Sequence, residues 1–339
     1  MISAREVQAK YYLIGFLILF IAVFILSFSI GQYPISPGEL LHILFGKLIG
    51  AEKTWSDAAE LVVFKIRMPR VLAGAMIGAG LSAAGAAYQG LFRNPMASPD
   101  VLGASAGAGF GASLSLYAGL SYAAVSANAF VGGLAAVSTA YLISTRARRN
   151  PTLSMVLAGI MIGSLLNSAT SFIKLVADSS NTLPAITYWL MGSIAGVREN
   201  ELLLAAIPIL SGLLLLFLFR WKLNLLTMGD EEARSMGVNI RVTRIVVVAC
   251  ATLITAACIS ISGIIGWVGL VIPHFARMLV GYDYRIMLPV SMLMGASFLM
   301  AVDVLARTIV TSEVPIGILT AFVGAPFFLY LILGRGNRL

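Results

Sequence analysis

The sequence predicts an all-α polytopic membrane protein of about ten transmembrane helices, and three observations predict it. Of its 339 residues 59% are hydrophobic and 11% charged, where an ordinary soluble domain carries about 25% charged residues. The mean hydropathy is +0.93. The apolar runs between polar turns are each close to the roughly 20 residues a helix needs to cross the hydrocarbon core.

The first run, 11–31, follows Arg5 and Lys10 as a signal peptide would. Its apolar core is longer than the roughly 7 to 15 residues of such a signal and no small-x-small cleavage site follows, so it reads as a retained helix. Runs 67–89 and 97–118 form a hairpin around Arg93-Asn94-Pro95-Met96-Ala97-Ser98-Pro99-Asp100, whose prolines and asparagine favour a turn. Runs 125–145 and 152–174 flank a basic turn. The stretch 184–197 is too short to span and reads as a re-entrant or interfacial helix. Runs 201–220 and 243–262 enclose the longest cytoplasmic connection, at about 221–242, and 264–281, 287–306 and 315–333 complete the set. Pro273 is expected to break the eighth helix. All of 1–339 reads as one transmembrane domain.

With ten spans both termini share a side, and Lys and Arg choose it. The termini and the turns at 93, 146–149, 220–244 and 277–285 hold 15 of the 23, including Arg148, Arg149, Arg335 and Arg338. Both termini are therefore expected in the cytoplasm. Of the remaining 8, five lie between Lys47 and Arg70, where Glu52, Asp57 and Glu60 share the segment and Glu39 precedes it. The net charge of +8 follows from this bias and calls for no nucleic-acid partner. Cys250 and Cys258 lie eight residues apart on one predicted helix, out of bonding reach of each other, and no metal site is implied.

Gly103, Gly107 and Gly111, like Gly74 and Gly78, recur every four residues, which predicts close helix packing. The ordered run Arg67-x-Pro69-Arg70, a glycine-rich span, Gln89, Asn94-Pro95-Met96-Ala97-x-Pro99 and Leu102-Gly103-x-Ser105-x-Gly107 resembles the permeases of ABC importers for iron-siderophores, haem and cobalamin, the FecCD/BtuC-like family. Gly263-Ile-Ile-Gly-Trp-Val-Gly-Leu-Val-Ile-Pro-His274-Phe-Ala-Arg277 and the run from Pro315 to Pro326 carry the same resemblance. It implies a permease of a type II importer in a bacterial or archaeal cytoplasmic membrane, working as a pair of identical subunits. It also implies two ATPase subunits below, which bind ATP and Mg, and an extracytoplasmic substrate-binding protein above. The chain itself has no G-x-x-x-x-G-K-[ST] and is expected to hold no cofactor and no catalytic residue.

The resemblance also assigns roles to single residues. Arg67 and Arg70, with Arg307 at the outer end of the ninth span, are implied to dock carboxylates of the binding protein. Their bland alternatives are headgroup anchors and, for Asp303 with Arg307, an i,i+4 pair. Asn94, Met96 and Thr152 are implied cytoplasmic gate residues, although Pro151 and Leu153 depart from the Ser/Thr-rich version around Thr152. In the connection, Asp230, Glu231 and Glu232 suit a helix start and Gly237 its end. Its Gly229-acidic-x-x-Ala233-x-x-x-Gly237 pattern and the apolar edge of Met228, Ala233, Met236 and Val238 imply ATPase docking.

Two rivals stand beside this reading. An ion-coupled carrier needs midplane carboxylates and an inverted repeat, and only Asp303 approaches that. Gly103-Ala-Ser105-Ala-Gly107 fits G-x-S-x-G, so an intramembrane serine protease could pair Ser105 with His274. One His beside a proline more often satisfies freed carbonyls.

Overall fold

Alanine and glycine decide how this protein packs, because they line the helix at its centre. The structure, a computed structural model, describes residues 4–31, 33–50, 53, 55–146, 151–310 and 312–335. Glu52, Arg148, Arg149 and Arg338 of the charge reading lie outside them. In chain order the helices are α1 Ala4–Ser29, α2 Pro37–Ile49, α3 Asp57–Leu61, a π-helical turn Val62–Arg67, α4 Met68–Phe92, a 3-10 turn Pro99–Leu102, α5 Ala104–Tyr117, α6 Tyr122–Arg146, α7 Pro151–Val176 and α8 Thr182–Met191. There follow α9 Glu199–Leu218, α10 Arg220–Met228, α11 Asp230–Ser235, α12 Ile240–Ser262, α13 Val268–Val280, α14 Tyr284–Ala306 and α15 Ile316–Arg335.

Seven helical stretches among the described residues are long and apolar enough to cross a membrane, and α13 and α15 give shorter apolar stretches. With α5, at 14 residues, they account for the ten predicted spans. The polytopic all-α class is the one the sequence gives reason to expect.

Four element boundaries differ from the sequence reading. The second span is not 67–89 but part of a continuous 36-residue helix from Asp57 to Phe92. The third begins as a helix only at Ala104, after the 3-10 turn. The eighth begins at Val268, and Pro273 lies inside it without ending it. The chain breaks upstream instead, at 263–267, where Gly263 and Trp267 take positive φ. That irregular backbone is tolerated because it is packed within protein: Ser193 N–H bonds Ser262 O at 2.7 Å. The fourth difference is α2, unforeseen, started by Ser36, whose hydroxyl accepts the Glu39 N–H, and closed by Gly50 in the left-handed region.

α4 sits at the centre and touches α9, α12, α13 and α14. Its Gly78 faces Gly295 of α14 so closely that a Cβ would strike the Gly295 carbonyl, and Gly107 of α5 meets Gly132 of α6 in the same way. Small residues let backbones approach, and dispersion contacts along the seam hold them. Gly103 instead takes φ +82 between the 3-10 turn and α5. Cys250 and Cys258 are free and buried.

Hydrogen bonds sort the loops into two ends. Arg93, the α10–α11 segment and Arg244 are joined at one end. Arg67 is joined to the end of α1 and Arg70 to Glu313 at the other. The basic turns at 93, 220–244 and 277–285 thus gather at one end, and α1, which ends beside Arg67, and α15, which begins just after Glu313, run to it.

Candidate functional site

At the inner end, α4 stops at Arg93, whose backbone takes φ 49 and ψ 34. The Asn94 N–H returns to Gln89 O at 3.1 Å, closing the helix in a left-handed cap. The Asn94 side chain then accepts the Met96 N–H at 2.9 Å, and this Asx turn leaves Asn94 and Met96 exposed. Thr152 stands apart from them, half-buried in the first turn of α7. Its neighbour one turn on, Met155, shares a cavity of about 780 Å³ with Asp230, Arg234, Gly237, Arg241 and Arg244.

The connection folds as two short helices hinged at Gly229, whose φ of +146 suits glycine. Acidic Asp230, Glu231 and Glu232 open α11, where they face the positive end of the helix dipole. Ala233 is fully buried, at 0% exposure, within the central core cluster. The expectation that it lies on an open docking edge is corrected: α11 packs against α12, and this turns the Ala233 methyl into the core. Met228 and Met236, on either side of α11, are 66% and 56% exposed and supply most of the apolar edge, with Val238 half-buried against the core.

Two ties hold this unit to the bundle, and the sequence reading missed both. Arg93 Nε donates to Leu226 O at 2.9 Å and its Nη2 pairs with Asp230 Oδ1, while Asp230 Oδ2 takes Arg244 Nη2 at 3.2 Å. Asn224 Nδ2 donates to Asp283 Oδ1 at 2.6 Å and its own oxygen accepts the Tyr284 N–H at 2.7 Å. Burial alone would raise the Asp283 carboxyl, but hydrogen bonds from the Arg285 side chain and backbone and from Asn224 hold it below its ordinary value. Above them Gln89 accepts from Arg277 Nη2 at 2.8 Å and donates to Leu270 O at 3.1 Å. His274 is buried beside this pair.

At the outer end the three arginines expected to face a partner are turned inward. Arg67, Arg70 and Arg307 are 3%, 6% and 6% exposed. Arg67 caps the end of α1 by donating to the carbonyls of Phe28, Ser29 and Tyr33. Arg70 Nε meets Asp303 Oδ1 and its Nη1 meets Glu313 Oε1, both at 2.7 Å. Arg307 Nη2 donates to Ser27 O at 2.5 Å, and its Nε lies 3.5 Å from Asp303 Oδ2. A desolvated guanidinium needs such partners, and the carbonyls at the end of α1 need donors. Both oxygens of Asp303 are therefore engaged by arginines, which removes the one carboxylate that an ion-coupled carrier had to offer. Ser105 donates to Asp100, and the Ser105–His274 pairing of the protease reading has no support.

The model of the FecCD transport family matches residues 18–334. The chain belongs to that family. It is 35% identical over 327 residues to a molybdate import system permease protein of Haemophilus influenzae, covering 96% of each chain. It is 41% identical over 283 residues to a cobalamin import system permease protein of Halobacterium salinarum, 83% of this chain and 76% of the relative. A probable iron chelatin permease of Helicobacter pylori is 39% identical over 276 residues, 81% and 83%. A solved inward-facing metal-chelate type ABC transporter superposes with TM-score 0.85 at 33% identity, over 96% of this chain and 99% of that one. The protein is thus a multi-pass permease subunit of a prokaryotic ABC importer and not itself an enzyme. ATP is bound by a partner ATPase, and the family implies a binding protein as well.

Proposed function

We propose that this permease carries a metal chelate, an iron-siderophore first, with haem or a corrinoid as the next candidates, through a pathway shared with a second copy of itself. Two ATPase subunits engage Met228 and Met236, Asn94 and Met96 meet their symmetry mates at the inner mouth, and Thr152 contributes to the gate from the start of α7. The observation that carries the ATP-driven part is the coupling loop. It spends Ala233, Leu223, Leu225 and Leu226 on the bundle and still leaves two methionines bare at the end where the basic turns gather.

The cargo reading is supported by the iron chelatin relative and by the metal-chelate type transporter whose structure this chain matches. The binding protein lands on the outer end. Because Arg67, Arg70 and Arg307 are committed to intrachain partners, its docking falls to exposed groups there such as Lys65 and Glu199. The test is uptake into vesicles holding the permease, its ATPase and its binding protein, offered radiolabelled ferric siderophore, haem, cobalamin and molybdate in turn. ATP-dependent uptake of the iron chelate is expected; uptake of molybdate alone, or uptake on an ion gradient without ATPase, overturns the reading.

A further inference from the structure

Arg93 occupies a position that glycine would fill with less strain. It caps α4 from the left-handed region, which non-glycine residues enter infrequently, and helices that end this way usually do so on glycine. Its side chain explains its presence. Nε donates to Leu226 O, 2.9 Å away in the last turn of α10, one of the carbonyls that helix cannot satisfy itself. Nη2 reaches Asp230, the first residue of α11, and through it Arg244 of α12. One guanidinium therefore grips both coupling helices across the Gly229 joint, while the next three residues of its own chain are the exposed turn Asn94-Pro95-Met96. As a source of stability the contact is weak, since Arg93 and Asp230 are both well exposed and such pairs contribute little. As a link between two moving parts it is direct.

We propose that Arg93 is a positioning residue that makes the inner-mouth turn follow the coupling helices when the ATPase displaces them. This rests on the reading above that α10–α11 receives the ATPase and that Asn94 and Met96 form the gate.

The test variant is Arg93→Gly, which suits the backbone and removes the grip. In vesicles with ATPase and binding protein it should keep ATPase co-purification, hydrolysis rate and thermal midpoint. Substrate taken up per ATP should fall at least about fivefold, the low end of ordinary coupling between sites. Asp230→Asn should lower the same ratio, and the losses of the two single variants should combine to less than their product in the double variant, since the two share the Arg93–Asp230 contact. An unchanged ratio, losses that multiply in full, or a lowered midpoint, which would make Arg93 a folding device, overturns the proposal. A second measurement needs no partner: a spin label at Met96→Cys should gain mobility when Arg93→Gly is added, and unchanged mobility also overturns it. A wild-type permease that binds no ATPase would sink the importer reading, while the label still judges the tie.

Discussion

Two glycines on one face of α4, four residues apart, should respond to the same substitution with opposite signs. A Cβ at Gly78 would sit 2.7 Å from the Gly295 carbonyl carbon and closer to its oxygen, with Ala296 Cα at 3.0 Å. All of these are backbone atoms that no rotamer change can move, so α4 and α14 must part by about 1 Å to restore ordinary contact. Overpacking of this kind costs about 1–3 kcal/mol, and an immovable backbone places it at the upper end. The better helix propensity of alanine returns about 1 kcal/mol, leaving Gly78→Ala destabilised by about 2 kcal/mol. At Gly74 the same methyl would meet Ile194 Cδ1 and Met300 Cγ at 3.5 Å, an ordinary contact, so Gly74→Ala should be neutral or stabilised by about 1 kcal/mol. The assay is the thermal midpoint of both purified variants in one detergent, followed by size exclusion. Equal midpoints for the two, or Gly78→Ala at or above wild type, would refute the close approach of α4 and α14.

Asp303→Asn leaves Arg70 and Arg307 facing each other in a buried site, and should cost about 3–5 kcal/mol in a denaturation series, more than Arg307→Met. Met228→Asp with Met236→Asp should leave membrane insertion and midpoint unchanged while abolishing ATPase co-purification; retained ATPase would remove the methionines from the dock. Ala233→Arg, by contrast, should lower the midpoint of the permease alone, because that side chain has only the core to enter. Asp283 is held below its ordinary pKa, so its contribution is complete above about pH 4 and fades as pH falls through the depressed value. Wild type should therefore lose its stability advantage over Asp283→Asn on acidification, and a constant gap down to about pH 3 would contradict the clasp with Asn224.

Much of the fold was legible because membrane spans announce themselves by length and apolarity, and the acidic run from Asp230 and Gly237 marked the two ends of α11. What escaped has physical reasons. An apolar run does not reveal whether its backbone is helical once the protein itself supplies the hydrogen bonds, so 264–267 read as helix. The Ser36-Pro37-Gly38-Glu39 start and Gly50 stop of α2 were visible cap signals, overlooked because the search was for spans. The inward turn of Arg70 depends on Asp303 and Glu313, more than two hundred residues away in sequence, and no local pattern encodes such pairing. Ala233 was misjudged because a helix as short as α11 gives too few apolar positions to say which side is buried. Arg93 reads in the sequence as a charge and as the start of the hairpin turn; its place one residue after the end of α4, where glycine is usual, comes from the structure.

The helix from Asp57 to Phe92 is 36 residues long, about 54 Å at 1.5 Å per residue, against a hydrocarbon core of about 30 Å. It contains one wide turn, Val62–Arg67, where the Met68 N–H bonds back to Val63 O. Such a turn accommodates one residue more than its neighbours. Inserting a residue in an ordinary helix rotates everything beyond it by about 100°, which inside the glycine seam would aim side chains at backbone. The wide turn is the one place along this rod where the chain length can change by a residue with the rotation absorbed locally. A change of residue count is thus absorbed at the wide turn so long as Ala59, Val63 and Arg67 keep their buried places, whereas the stretch from Gly74 to Arg93 must keep its residue count to keep its phase.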